Sequence, residues 1–494
     1  MSNGGRASRP WILAATILGS SLVFIDMTVV GIALPVLQAA FHSSAAAAQW
    51  VVEAYTLVLG ALMLLAGALG DRYGRRLLFI AGVVVFAVGS ILCGLSTSMT
   101  VLVASRVLQG VGGTMLAPAS LALIGACFEG AERGKAVGTW SGLTSVAGAI
   151  GPVAGGAIID HFGWRWVFFI NVPLALAVLA VTLEHVPESR DEAERGTPDV
   201  AGSLLVTAGL AGIVYGFIAS GQDGWSAANV AALVAGVAAL MLFVPFERHT
   251  KHPILPLGLF KRRDFTGINV MTLLLYGALS GLFYFVPFVM IQVDGYDATV
   301  TGAAMLPFVL LMVALSRFSG GLAYRVGART LLVAGPALTA VGFALFGILR
   351  DLHYWDAIFP AVSVVGLGMG LTVAPLTSAM LESVPEEHVG LASGINNAVS
   401  RIAGLLAIAV FGALLSAVYG ARLDPRLSTL TPNERRDVDT QRAAMAAAHL
   451  HDPAEVAAVH GAYLDGFRAV AFGCAAIALL SAAVSGAMIP PKRA

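Results

Sequence analysis

The sequence predicts an all-α integral membrane protein of about 14 transmembrane helices, arranged as two six-helix bundles plus a two-helix insert. Three observations carry this. Of 494 residues, 57% are hydrophobic and 12% are charged, and mean hydropathy is +0.83; a soluble domain carries about 25% charged residues. Apolar windows of roughly 20 residues, enough to cross a bilayer as helix, recur along the whole chain. Inside each window the apolar residues run on without period-two alternation, which excludes a transmembrane β-barrel. The 56 glycines suit helices packed closely in lipid.

The windows fall near 11–38, 49–70, 77–96, 100–127, 136–159, 166–184, 200–220, 226–246, 267–292, 299–323, 330–350, 356–381, 391–418 and 466–489. The first follows Arg6 and Arg9 and continues past Leu34, too long for the apolar part of a cleaved leader. Between the second and third lies Gly67-Ala68-Leu69-Gly70-Asp71-Arg72-Tyr73-Gly74-Arg75-Arg76. Charges this dense must turn at a membrane face, where Gly67 and Gly74 let the chain reverse and two helix ends approach. Asp71 can cap a helix or pair with an arginine, and Arg72, Arg75 and Arg76 hold the turn at the cytoplasmic surface.

In the fifth window, Gly151-Pro152-Val153-Ala154-Gly155-Gly156 combines a kinking proline with a smooth face, the makings of a bendable interface between bundles. Residues 185–199 and 247–266 are charged and proline-punctuated, and bracket a helix pair with almost no polar residue in the membrane. The divisions are therefore 1–185, 186–265 and 266–494. Gly320 to Arg329 echoes the first turn, with Tyr324 where the aspartate stood, so the second latch is expected to be weaker. The polar segment near 419–465 carries Thr431-Pro432-Asn433-Glu434 and Asp452-Pro453-Ala454-Glu455, both readable as capping boxes. It is expected to form one or two short surface helices, a solvated lid without a site.

An even number of spans puts both termini on one side. Roughly 18 Lys and Arg fall in the terminal segments and alternate loops against about 8 in the opposite loops, which places both termini in the cytoplasm. Formal net charge is +0, so nothing points to a nucleic-acid partner. The three cysteines, Cys93, Cys127 and Cys474, form neither a disulfide framework nor a zinc spacing. The pairs His249/His252 and His449/His451 read as solvated, and no metal site is expected. No Gly-x-x-x-x-Gly-Lys-Ser/Thr loop is present, which argues against direct ATP-driven pumping.

An ionisable residue in a span costs at least about 2.5–3.5 kcal/mol, so each is a functional candidate. Asp26 lies midway along the first span, Glu53 one turn into the second and Arg106 two turns into the fourth. Such carboxylates can load and release protons, and movement of Arg106 relative to Asp26 or Glu53 could switch proton affinity. A static ion pair that only orders the helices is the plain alternative. Arg317 and Arg401 read as structural cations, snorkelling or pairing near the cytoplasmic side. Asn396 and Asn397 could line a cavity or bond between helices. Tyr276, Phe283, Tyr284, Phe285 and Phe288 cluster in the ninth span and Phe24 lies near Asp26; such faces suit flat drugs, though packing explains them equally.

The ten-residue turn resembles the loop signature between the second and third helices of the major facilitator superfamily. Ile25 to Pro35 is similar to the first-helix signature of its fourteen-helix drug:proton antiporter family, with Gly31 where Asn is common. Arg106 to Gly113, including Gln109, resembles that family's fourth-helix motif, and Gly163 to Pro173 a run typical of this branch. Gly366 to Gly370 and Gly394 through Gly404 also match. The Gly151–Gly156 run resembles the motif that marks exporters rather than symporters, with Ala147 replacing a usual glycine.

The resemblance implies a major facilitator fold and a proton-coupled exporter that needs no cofactor. Asp26, Glu53 and Arg106 would couple protons. Phe24, Asp26, Gln109, Tyr284, Phe288, Asn396 and Asn397 would meet the substrate. Gly67, Asp71, Arg72, Gly74, Arg75, Arg76, Gly151, Pro152, Gly155 and Gly156 would form the conformational switch. Its partners would be protons, the bilayer and a small-molecule drug or antibiotic. An acidic cavity favours lipophilic cations, and a monomer is expected. Arg outnumbers Lys and Ala is abundant, which suggests a GC-rich genome and hence a bacterial plasma membrane. The rivals are an uptake symporter and a membrane sensor that transports nothing.

Overall fold

A computed structural model describes residues 3–128, 130–190, 199–250, 255, 257–348, 354–385 and 389–491. Arg195, Lys251, His252, Lys492 and Arg493 fall outside them, as does the Asp71 side chain. Among the described residues 14 helical segments are long and apolar enough to cross a membrane, and there is no β-strand.

The first six spans are α1 (Asn3–Ala40), α2 (Ala45–Tyr73), α3 (Arg75–Gly94), α4 (Met99–Cys127), α5 (Gly130–Phe162) and a broken sixth, α6 (Trp166–Phe169) with α7 (Asn171–His185). The pair α8 (Val200–Asp223) and α9 (Ala227–His249) follows. The last six are α10 (Arg263–Phe288), a broken span made of α11 (Ala298–Ala304) and α12 (Leu306–Val326), then α13 (Ala328–Ile348), α14 (Phe359–Glu382), α15 (Val389–Leu427) and α17 (Pro453–Met488). Short α16 (Pro432–Gln441) lies between the last two.

Local chemistry sets the boundaries. Ser44, Ser98 and Ser226 cap α2, α4 and α9 by accepting hydrogen bonds from Ala47, Val101 and Asn229. Pro307 has no N–H, so the helical ladder breaks between α11 and α12. Gly74 (φ +124°) and Gly327 (φ +89°) occupy equivalent turns in the two halves, in backbone that side chains avoid.

The segment near 419–465 holds the expected short helices, α16 and a 3-10 turn at Arg442–Ala447, but α15 and α17 also extend into it from both sides. Thr431 and Glu434 close a full capping box. At Asp452 the side chain accepts only from the Ala454 N–H, so the second box does not close. This segment is called the lobe below. Its membrane face is the lobe end, and the face with the Gly67–Arg76 turn is the turn end.

Leu22, Tyr55, Phe79, Phe86 and Leu123 form a core within α1–α7. Toward the lobe end the two groups share one core, where Val29, Leu34 and Phe168 join Phe285, Phe288 and Phe467. Leu210, Val214 and Ile218 of α8 pack on Leu57 and Ala61 of α2 and on Leu405 and Ala409 of α15, so α8 covers the seam between those helices and α9 packs on α8. At the turn end the groups part. Leu143, Val146 and Ile150 of α5 and Leu310, Val313 and Phe318 of α12 are exposed, and Gly138, Gly142 and Gly321 face open space. The result is a cleft closed at the lobe end and open at the turn end.

Candidate functional site

Five helices of the first group bring a polar network to mid-membrane. Asp26 of α1 and Arg106 of α4 are each 1% exposed, with Nη1 2.5 Å from Oδ2. Asp26 Oδ1 accepts from Gln109 Nε2 at 2.8 Å and from Asn171 Nδ2 at 3.3 Å. Gln109 also donates to Ser90 Oγ at 2.8 Å and accepts from Arg106 Nη1 at 2.6 Å. Arg106 Nε donates to the Val51 carbonyl of α2 at 3.0 Å, and its guanidinium lies 4.0 Å from the Tyr55 ring centre. Both charges are thus paired and hydrogen-bonded, as burial in low dielectric demands.

Glu53 is placed differently. It is fully buried on α2, and Oε1 accepts a long 3.5 Å bond from Gln49 Nε2. Its Oε2 has no hydrogen-bond partner among the described residues. Gln49 also donates to the Ile408 carbonyl of α15 at 3.1 Å, so this carboxyl lies at the seam between the groups. Arg401 of α15 turns toward α1, with Nη1 3.5 Å from Met27 Sδ and its guanidinium carbon 6.0 Å from the Phe24 ring centre.

Three contacts close the lobe end. A Cβ on Gly156 would strike the Ala298 carbonyl, and one on Gly302 the Pro152 carbonyl, so α5 and α11 touch backbone to backbone. Within the first group, Gly151 and Gly155 make room for the side chains of Thr28 and Val29 of α1. Asp160 of α5 then accepts from the start of α11: Ala298 N at 3.3 Å, Thr299 N at 2.8 Å and Thr299 Oγ1 at 2.5 Å. Finally, Gln292 Nε2 after α10 donates to Pro35 O and Gln38 Oε1 of α1, both at 3.1 Å, and Gln38 donates to Ala444 O of the lobe at 2.9 Å. Met445 (φ +52°) sits beside them and, with Gln49, Tyr284 and Phe288, walls a space of about 30 Å³, room for a water or two.

At the turn end, Glu188 accepts from the N–H groups of Arg76 at 3.0 Å and Leu77 at 3.1 Å, capping α3 from beyond α7. Arg75 N–H donates to Ser189 O at 3.0 Å, and Arg76 Nη2 to Leu183 O at 2.6 Å. Arg72 stacks on Tyr73, 5.5 Å from the ring centre.

The model of the Major Facilitator Superfamily matches residues 16–408. The chain belongs to this superfamily. It is 34% identical over 423 residues to the multidrug resistance protein Stp of Mycobacterium tuberculosis, covering 85% of this chain and 78% of that one. It is 31% identical to the tetracenomycin C resistance and export protein of Streptomyces glaucescens, covering 97% and 92%. The multidrug efflux pump LfrA of Mycolicibacterium smegmatis is 32% identical, covering 97% and 96%. Among solved structures, a bacterial homologue of the human lysosomal transporter Spinster, inward-facing and unoccupied, aligns with a TM-score of 0.66 at 17% identity, over 99% of this chain and 98% of that one. The protein is a multi-pass membrane transporter of this superfamily, not an enzyme.

Within the transporter, the residues anticipated for substrate fall into two sets. Phe24 and Tyr284 are half-buried near the seam, Phe288 is buried beside Tyr284, and Asn397 is exposed on α15. Asp26 and Gln109 are enclosed in the network instead. Asn396 bonds between helices, donating to Asn269 Oδ1 at 3.2 Å and Thr272 Oγ1 at 2.9 Å. Asp26 and Arg106 meet, whereas Glu53 forms no ion pair with either. Arg317 is exposed, but Arg401 does not snorkel: it reaches across to the first group. Sequence reasoning passed over Ser90, Asn171, Gln49, Asp160 and Glu188. Asn171 and Glu188 stood in runs already singled out, and Asp160 was an acid at the end of a span; Ser90 and Gln49 gave no local signal.

Proposed function

We propose that this transporter is a proton-driven antiporter that exports lipophilic drugs or an antibiotic from a bacterial cytoplasm. The observation that carries it is the contrast between two intramembrane acids, Asp26 held by Arg106 and Glu53 with an oxygen left without a donor at the seam. A bound proton removes the charge that the seam leaves uncompensated at Glu53. A proton on Asp26 takes away the partner of Arg106, whose hold on the α2 backbone at Val51 connects that change to the helix bearing Glu53. A change of charge at either carboxyl can therefore alter the packing of the two groups.

The arginine-rich turn end is taken as cytoplasmic. Drug enters the cleft from that side, between α5 and α12. Opening outward then requires the Asp160–Thr299 and Gln38–Gln292 contacts to part while the turn end closes, a rocking of two bundles about a midplane site. One proton moving down 100 mV supplies about 2.3 kcal/mol. The expectation of cationic substrates rested on Asp26 facing the cavity, and its enclosure removes that support.

Everted membrane vesicles test the reading. With respiration imposing an acid interior, a transported dye should accumulate inside and drain when an uncoupler is added. Accumulation that ignores the uncoupler contradicts proton coupling, and dye movement in the opposite direction indicates an uptake symporter.

A further inference from the structure

Arg401 is an intramembrane cation without an anion. It lies about three turns into α15, and no Asp or Glu among the described residues comes within 4.0 Å of its nitrogens. Its hydrogen-bond acceptor is the Met27 thioether, a weak one, and the Phe24 ring lies beside it. Of the two intramembrane acids of the first group, Asp26 already accepts from three donors, and Glu53, met by Gln49 at one oxygen only, forms no ion pair with Arg401 among the described residues. Arg106, by contrast, is fully buried and held by Asp26, Gln109, Val51 and the Tyr55 ring.

A guanidinium presents five N–H groups in a planar fork that fits the oxygen pair of a carboxylate or sulfonate. Among the described residues its acceptor is the Met27 sulfur, and the partly exposed side chain leaves the fork open to an incoming group. Asn397, one helical turn away on the same face, is exposed and adds an uncharged polar group. Phe24 provides an apolar surface next to the charge.

We propose that Arg401 anchors the substrate, and that the cleft selects lipophilic molecules carrying an acidic or strongly electron-rich oxygen group over lipophilic cations. The assignment rests on the export reading above, whose site it makes specific. An acid group approaching Arg401 gains a charge-assisted bidentate bond, while the rest of the molecule lies against Phe24 and the apolar walls. A cation meets repulsion at the same point. A purely structural arginine, or one that swaps onto Asp26 or Glu53 in another conformation, would instead affect every substrate alike.

The test is equilibrium binding to the full-length protein in lipid nanodiscs, using three fluorescent probes: the anion 8-anilinonaphthalene-1-sulfonate, neutral Nile red and the cation ethidium. The wild type should bind the anion more tightly than the cation. Arg401→Gln should weaken the anion by about tenfold or more and leave Nile red within about twofold. Arg401→Lys keeps the charge but loses the fork, and should fall between. Should the glutamine variant unfold, seen as a lost thermal transition, the lysine variant still decides through selective weakening of the anion. The proposal is overturned if the cation binds best, if the anion does not bind, or if both variants weaken all three probes equally. Proton-driven accumulation of Nile red in everted vesicles is scored separately; its failure removes the export reading without touching the binding comparison.

Discussion

Asp26 and Arg106 stabilise each other only as a pair. Each is enclosed, so removing one charge strands the other in low dielectric at a cost of about 3–5 kcal/mol. Asp26→Asn should therefore lower thermal stability sharply, and adding Arg106→Gln should restore part of the loss rather than add to it. Additive losses in that double-mutant cycle would show that the contact contributes little. These two residues were legible in the sequence because a charge in an apolar run is conspicuous. Asn171, Ser90 and Gln49 were not, because neutral polar side chains are common in membrane helices and only the fold shows what they touch. Arg401 was visible as a cation, but its direction was not: a position on a helix does not say which neighbour the side chain reaches.

Between α5 and α11, closure depends on missing side chains. Gly156 and Gly302 let two backbones meet, and Asp160 caps α11 across that contact. Gly302→Val forces these helices apart, so it should favour the state open at the lobe end. Alkylation by an impermeant maleimide of a cysteine placed at Gln292, applied from outside, should become faster than in the same cysteine background without Gly302→Val. An unchanged or slower rate would mean that this contact does not hold the gate. The small-residue run of α5 was readable as an interface from its glycines and proline, but its partner was not. The contact joins residues 152 and 302, and nothing in either segment names the other. The lobe is a similar case. Its capping box at Thr431 could be read locally, whereas the Gln38–Ala444 bond over 406 residues of separation could not.

For the molecule as a whole, the recurring apolar windows were enough to give 14 spans, and the charged loops 185–199 and 247–266 suggested the division. The conformation was not legible, because one sequence must encode both the open and the closed cleft. The structure captures the state open at the turn end, with Glu53 at the seam that has to rearrange. Reconstituted vesicles holding a pH-sensitive dye and a transported drug address the central claim most directly. With protein oriented to export outward, drug movement should be matched by proton movement in the opposite direction. Glu53→Gln should abolish that proton flux while still exchanging drug for drug at equal concentrations. Proton flux coupled to drug in Glu53→Gln at the wild-type rate would contradict the account.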